Sequence, residues 1–497
     1  KFQIKMLLFI IVIIILSICY YKFLNKLKGL PPGPTPLPVF GNLLSFKTEM
    51  QDILLEWKKE YGSVFTLWMP QPTVVIADHK ILQEIIIKDG DKYGDRSVNE
   101  ETMKLLVDGK NGLIFNDNQM WKEQRRFALH SLRDVGLKSS VLQETANDYS
   151  KDIISRWKSE GTNGNPIDLT HGFMVGVANI VWQLTFGRTL EYDDPLIMKI
   201  KDLTAKITAE VSHPLVPIME VLPEIKHIDF LFGYPIKRLK ESNDRILEMM
   251  NKELVICEEH FNLDNTPKCY AESFLCEMAK RKTNGELEGT FTRHQLLIAC
   301  YDMLTAGFET TVTTMRFAVH YLINNPNVQK KMQEEIDKNV GKQSIRMEDQ
   351  KSLPYCCAVI QETQRCANIV PMNFLRKTNQ STVISGYEIP SGTSVIPQFP
   401  TVHMDENEFE RPETFCPERH IDIEGHFIKD DRITPFSIGK RSCLGEGLAR
   451  MELFIFLTSF VQNLTFSSVS KIPPELKVIG GMITSPNAYE VIVKARE

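Results

Sequence analysis

Long stretches of helical periodicity alternate with a few short, strand-like runs. Apolar residues recur every three to four positions, opposite a polar face, over Met50–Tyr61, Gln119–Val135, Val141–Gly161, Pro235–His260, Thr292–Asn324 and Pro326–Val340, and the spacing predicts a helix at each. Pro235 and Pro326 open two of these at the helical position that needs no backbone N–H. Strand-like runs are brief: Val64–Met69, Thr73–Ala77, Val383–Ile389 and Val491–Val493. The predicted class is mainly α with minor β sheets. Beyond residue 38 there is no second linker, low-complexity tract or repeat, so 39–497 reads as one large folding unit.

The N-terminus departs from this pattern. Met6–Tyr21 runs sixteen residues without a charge, about 24 Å as a helix, and Phe23 and Leu24 extend it. No small-residue cleavage site follows. Tyr20, Tyr21 and Phe23 suit a membrane interface, and Lys22, Lys26 and Lys28 come next. The expectation is an uncleaved transmembrane anchor over 1–24, with a signal peptide as the rival reading; the lysines would hold the rest of the chain on the cytoplasmic side. Residues 25–38 form a basic, proline-rich hinge, in which LPPGPTPLP (Leu30 to Pro38) is stiffer than a flexible linker.

Composition narrows the class without changing it. With 497 residues, 43% apolar and 24% charged, the chain is globular in character. A net charge of −5 gives no basic field for nucleic acid. The ten cysteines show no CxxC pair and no zinc-finger spacing, which suits reduced thiols in a cytosolic setting.

Candidate chemistry gathers near the C-terminus, in Phe436–Arg450, FSIGKRSCLGEGLAR. Gly439 and Gly445 bracket Cys443, and an apolar helical pattern follows. A cysteine on such a loop has the helix N-terminus and loop N–H groups aimed at its sulfur, which favours a thiolate. Alone, Cys443 would be one more inert buried thiol. Five fixed positions (Phe436, Gly439, Arg441, Cys443, Gly445) would coincide by chance in roughly 10⁻⁴ of such chains.

The loop resembles the haem-binding signature of the cytochrome P-450 superfamily, Phe-x-x-Gly-x-Arg-x-Cys-x-Gly, and GEGLARMELF (Gly445 to Phe454) is most similar to the animal microsomal second family. The resemblance implies haem b with the Cys443 thiolate as axial ligand of the iron, Phe436 beside it, and Arg441 at the haem carboxylates. It further implies the family's Glu-x-x-Arg at Glu362 and Arg365, with Arg419 as third member of a buried scaffold triad. His420 stands where relatives carry an aromatic, which puts the packing there in question. Trp121 and Arg125 match the Trp-x-x-x-Arg helix whose indole and guanidinium share one face and reach a haem propionate, and Arg376 sits where a further propionate contact is expected.

On the distal side the resemblance points to Ala306-Gly307-Phe308-Glu309-Thr310-Thr311, in the middle of the longest predicted helix. A glycine there costs about 1 kcal/mol, and small residues would leave room for dioxygen. Thr310 and Glu309 would then be the catalytic alcohol and acid. The implied reaction is monooxygenation of a lipophilic substrate (fatty acid, steroid or foreign compound) in a pocket drawn from 105–115, 204–213, 301–310, 370–375 and 482–484. Electrons must come from outside, since no P-loop or dinucleotide fingerprint is present. The implied partners are the microsomal NADPH–cytochrome P-450 reductase and a microsomal b-type cytochrome, with Lys122, Arg126, Arg133 and Lys440 as candidate docking charges, membrane lipid, and no nucleic acid. The implied location is the endoplasmic reticulum membrane, with a single-pass anchor and the catalytic domain facing the cytoplasm. The sequons at Asn379 and Asn463 would then go unused. A haem-thiolate isomerase or dehydratase, needing no reductase, and a tethered scaffold without chemistry are the alternatives. The Glu309–Thr310 pair speaks against the first, and the ordered run of motifs against the second.

Overall fold

The computed structural model describes residues 29–38, 40–46, 50–69, 71–137, 140–287 and 289–496; the expected anchor over 1–24 lies outside them. Among the described residues no helix is long and apolar enough to cross a membrane. The proline-rich segment is laid along an outer strand, where the Thr66 N–H donates to the Pro32 carbonyl (2.9 Å) and the Trp68 N–H to Asn42 Oδ1 (2.8 Å). These bonds cover a sheet edge that would otherwise be open.

In chain order the elements that place the site are α1 (Met50–Tyr61), β1 (Val64–Trp68), β2 (Pro72–Ile76), β3 (Asp95–Arg96), α2 (Asn118–Leu132), α3 (Thr170–Phe186), α4 (Pro195–Val211), α5 (Pro235–His260), α6 (Tyr270–Thr283), α7 (Arg293–Asn324), α8 (Pro354–Ala367), β4 (Arg376–Lys377), β5 (Ser394–Pro397) and α9 (Glu446–Asn463). The five strands form one sheet in the order β1-β2-β5-β4-β3, antiparallel except for the β2–β5 pair. Helix dominates and the sheets are small, as the periodicity predicts.

Helix α7 is the axis of the fold. Its N-cap is Thr292, whose Oγ1 accepts from the Gln295 N–H (3.1 Å), and it ends at Asn325, ahead of Pro326. It packs against α3, α5, α8 and α9, and most of the main apolar core lies around it. Helix α3, absent from the periodicity reading, has fourteen of its seventeen residues buried. It is apolar on all sides, so it carries no amphipathic stripe for a pattern to find. The single run Val383–Ile389 resolves into two strands, Thr382–Ile384 and Tyr387–Ile389. Ser385 (φ +49°) and Gly386 (φ +86°) turn the chain between them, in the way a two-residue hairpin loop requires.

Candidate active site

The Cys443 loop is fixed from both ends. The Cys443 N–H donates to the Phe436 carbonyl (2.8 Å), and α9 begins three residues on, after Gly445. Gly439 adopts φ +74°, and a Cβ there would stand 2.4 Å from the Ile86 carbonyl oxygen, so backbone packs on backbone at that point. Cys443 is the one exposed thiol among the nine described free cysteines. Burial pushes its pKa above the ordinary thiol value, and Glu446 adds to this, against the Gly445 N–H and Arg125. Burial thus works against the thiolate that the helix N-terminus favours. A metal cation at the sulfur would supply what burial removes.

Beside this loop lies a cluster of buried guanidiniums. Arg125, one turn past Trp121 on α2, donates Nη2–H to the Ser442 carbonyl (2.7 Å). Arg441 donates to the carbonyls of Gly94 and Asn116 (both 2.7 Å) and lies 3.8 Å above the Trp121 ring. Arg376, at β4, reaches Ser437 Oγ (3.3 Å). A fourth member, Arg96 on the adjacent β3, donates to the Ile114 (3.2 Å) and Phe374 (3.4 Å) carbonyls. Arg96 escaped the sequence reading because a two-residue strand has no motif. Burial and mutual repulsion push Arg96 down to about 10 and Arg441 to about 9, while Arg376 falls well below the usual arginine value. Asp117 and Asp95 offset only part of this repulsion. Arg376 Nε and Arg441 Nη1 are buried and make no hydrogen bond. Guanidinium stays charged in proteins, so this is a site short of negative charge, and a ligand with two carboxylates next to the sulfur fits it. Haem is such a ligand.

The α7 residues divide into two groups. Gly307 turns toward α3, where a Cβ would meet Val181 Cγ2 at 3.0 Å. This glycine serves helix–helix packing, which corrects its expected role of making room for dioxygen. Ala306 is exposed to the interior space, and the Thr310 hydroxyl donates to its carbonyl (2.8 Å). Burial holds Glu309 above the ordinary carboxylate range, opposed by Arg316. Two further acids on this axis carried no sequence signal. Glu452 of α9 is buried, hydrogen-bonded to Thr311 and pushed far up by desolvation. Asp302 is pushed up to about 7 by burial, against two N–H donors, Leu113 (2.6 Å) and Ile114 (3.0 Å). It ties the 112–115 loop to α7.

Two of the predicted pocket segments meet, and residues bordering two others approach the rest. Phe115 and Phe374 have ring centroids 6.0 Å apart, Gly481 approaches Thr208 of α4, and the Thr484 N–H donates to the Ile369 carbonyl (2.9 Å). Lys122, Arg126 and Arg133 are exposed at positions that share one side of α2 and its continuation. Lys440 instead pairs with Asp91.

Behind the loop, Glu362 and Arg365 of α8 are fully buried and bidentate (both bonds 2.8 Å). Arg419 Nε (3.0 Å) and the Cys416 N–H (3.0 Å) donate to the same carboxylate. His420, in place of an aromatic, adds Nε2 at 2.8 Å from Glu362 Oε2. The triad is thus a quartet, and the histidine fills the aromatic's place with a polar contact. Burial would raise Glu362, yet hydrogen bonds from Arg365 and His420 outweigh it and hold the carboxyl at about 2.

Comparison with known proteins adds a family to this geometry. The family profile "Cytochrome P450" matches residues 31–493. The chain is 37% identical over 493 residues to "Probable cytochrome P450 CYP36A1" of Caenorhabditis elegans, covering 99% of both chains. It is 34% identical over 485 residues to cytochrome P450 2C23 of Rattus norvegicus, covering 94% of each. It is 32% identical over 473 residues to cytochrome P450 2K1 of Oncorhynchus mykiss, covering 94% of this chain and 92% of the other.

Proposed function

The chain belongs to the cytochrome P450 family, and we propose that it inserts one atom of dioxygen into a lipophilic organic substrate such as a fatty acid, steroid or foreign compound. Proteins of this family are haem-thiolate oxidoreductases that incorporate molecular oxygen. The observation that carries the reading is an exposed thiol beside buried arginines whose charge nearby carboxylates offset only in part.

Cys443 is assigned as the iron ligand. Arg125, Arg376 and Arg441 hold the haem carboxylates, with Arg96 reinforcing their field, while Trp121 supports Arg441 from below and Phe436 anchors the Cys443 N–H. Haem, when bound, supplies dioxygen activation and C–H oxidation. The protein supplies orientation and protons. The Thr310 hydroxyl donates its hydrogen bond to the Ala306 carbonyl, which leaves its oxygen free to accept from a water. Glu309, whose carboxyl burial makes more basic than usual, is assigned as the acid that feeds protons through solvent toward Thr310. Half-buried Leu113, Phe115, Met303 and Ile483 supply apolar lining for the substrate.

Electrons are assigned to an NADPH-dependent flavoprotein reductase that docks on the exposed Lys122, Arg126 and Arg133, with a microsomal b-type cytochrome as a second donor. Exposed Leu37, Phe40 and Leu44, and Phe230, Leu231 and Phe232, flank an apolar cluster on which Leu43 packs, and they support contact with the endoplasmic reticulum membrane beside the N-terminal anchor.

The deciding measurement is a reduced, carbon monoxide difference spectrum beside a Cys443→Ser variant. A strongly red-shifted Soret band lost in the variant is expected; a band typical of histidine ligation would overturn the assignment. In Thr310→Ala, product formed per electron consumed should fall about tenfold or more. Undiminished yield would remove the reason to prefer monooxygenation over an isomerase or dehydratase reaction.

A further inference from the structure

Away from the active site, the described residues hold two groups of side chains with metal-ligand chemistry. Asp422, Glu424 and His426 form the more exposed one, organised by its own turn, in which Asp422 Oδ1 accepts the His426 N–H (2.7 Å). The other is largely buried and joins two helices. It comprises Cys257 near the end of α5, Cys269 at the N-cap of α6, and Glu272 in the first turn of α6.

One ligand atom from each of the three lies within 4.8 Å of the other two. The local fold sets half of this arrangement. Cys269 stands where a helix prefers serine or threonine, and its Sγ accepts the Glu272 N–H (3.5 Å) while Glu272 Oε2 accepts the Lys268 N–H (2.7 Å). Sulfur thus takes the N-cap acceptor's place, while the Glu272 carboxylate reaches back to the residue before the cap. Sulfur is a weak acceptor, so capping alone does not favour a cysteine here. Tertiary packing sets the other half: Cys257 comes across the 258–268 loop to hydrogen-bond the Cys269 thiol. A third thiol, Cys300 of α7, lies close enough to act electrostatically on both. Glu272 is only half-buried, so the cluster is reachable from solvent.

We propose that Cys257, Cys269 and Glu272 form a structural site for zinc or a chemically similar thiophilic divalent cation, fastening the end of α5 to the start of α6. Two sulfurs and one carboxylate oxygen suit zinc, with water as the fourth donor, and they discriminate against magnesium and calcium. On binding, two thiols release their protons to solvent, two metal–sulfur bonds and one metal–oxygen bond form, and the cation sheds water. No electron is transferred.

The test uses the full, haem-loaded chain, stripped with a chelator and re-equilibrated with buffered zinc. Zinc and iron are counted together by elemental mass spectrometry. About one zinc per iron is expected in the unaltered protein, with at least ~10-fold weaker zinc retention in Cys257→Ser and in Cys269→Ser, while iron content is unchanged. Cys276→Ser, on the same helix but outside the cluster, should keep its zinc. A second readout needs no variant: zinc should slow alkylation of Cys257 and Cys269, mapped by peptide mass spectrometry, by about 10-fold or more. Equal alkylation rates with and without zinc would overturn the site. Zinc retention that ignores both serine substitutions would do the same. So would a Cys257–Cys269 disulfide in the protein as isolated.

Discussion

Around Glu362, two guanidiniums, an imidazole and a backbone N–H converge on one carboxylate. Around Arg376, three further guanidiniums crowd together, with Asp117 and Asp95 offsetting part of their charge among the described residues. Both regions are buried and both are made of ordinary ion-pair residues. The first is complete without any ligand, and its carboxyl is driven far down by its partners. The second is incomplete, since its arginines repel one another and two of their N–H groups stay unused. Buried polar groups are normally satisfied from within, so an unsatisfied cluster marks where something else belongs. A satisfied one marks scaffold.

The comparison breaks most sharply at Glu362. Glu362→Gln leaves Arg365 and Arg419 without their carboxylate, and unfolding free energy should drop by about 3–5 kcal/mol in denaturant titrations. The effect also has a pH signature. Glu362 is held at about 2, so its contribution is present above the ordinary glutamate range and is lost as pH falls from there through about 2.

Asp302 sharpens the contrast, because it is a buried carboxyl with N–H donors but no cation. Pushed up to about 7, it contributes nothing below the ordinary aspartate range. It lowers stability by up to about 1.4 kcal/mol per pH unit as pH rises toward 7, and by a constant amount above that. Asp302→Asn should therefore be the more stable protein at pH 8, with the gap closing toward pH 4. A pH-independent gap would refute the assignment.

The arginine side should respond with the opposite sign. Arg376→Met relieves repulsion, so the haem-free protein should be no less stable than the unaltered one. The haem-loaded protein should lose its cofactor about 10-fold faster to an acceptor apoprotein, roughly the worth of one charge-assisted hydrogen bond. The smallest change is expected at His420. His420→Phe restores the family's aromatic but removes one of several donors to Glu362, and a loss of about 1 kcal/mol should appear in the same denaturant titrations.

The sequence made the complete region easier to anticipate than the incomplete one. Glu362, Arg365 and Arg419 follow a spacing, and Pro235–His260 and Met50–Tyr61 match their predicted limits because the apolar period runs to both ends and Pro235 opens the longer helix. Three kinds of feature stayed hidden. Helix α3 has no polar face to give it a period. Arg96 and Glu452 matter only through tertiary neighbours about twenty residues or more away. Gly307 was visible as an anomaly, but its cause, Val181, lies on another helix. The serine–glycine pair at 385–386 was a legible turn signal inside a run read as one strand.

The cradle also has a timetable. Its guanidiniums come from positions 96, 125, 376 and 441, and the sulfur from 443 of 497. Gly439 must meet the backbone of Ile86 before the loop is seated. During synthesis from the N-terminus, Arg96 and Arg125 emerge hundreds of residues before Arg376, Arg441 and Cys443. No partial chain can hold the cofactor as the finished one does. On the proposed assignment, cofactor capture is confined to the last stage of maturation, and a chain ending before Arg441 would lack the sulfur altogether.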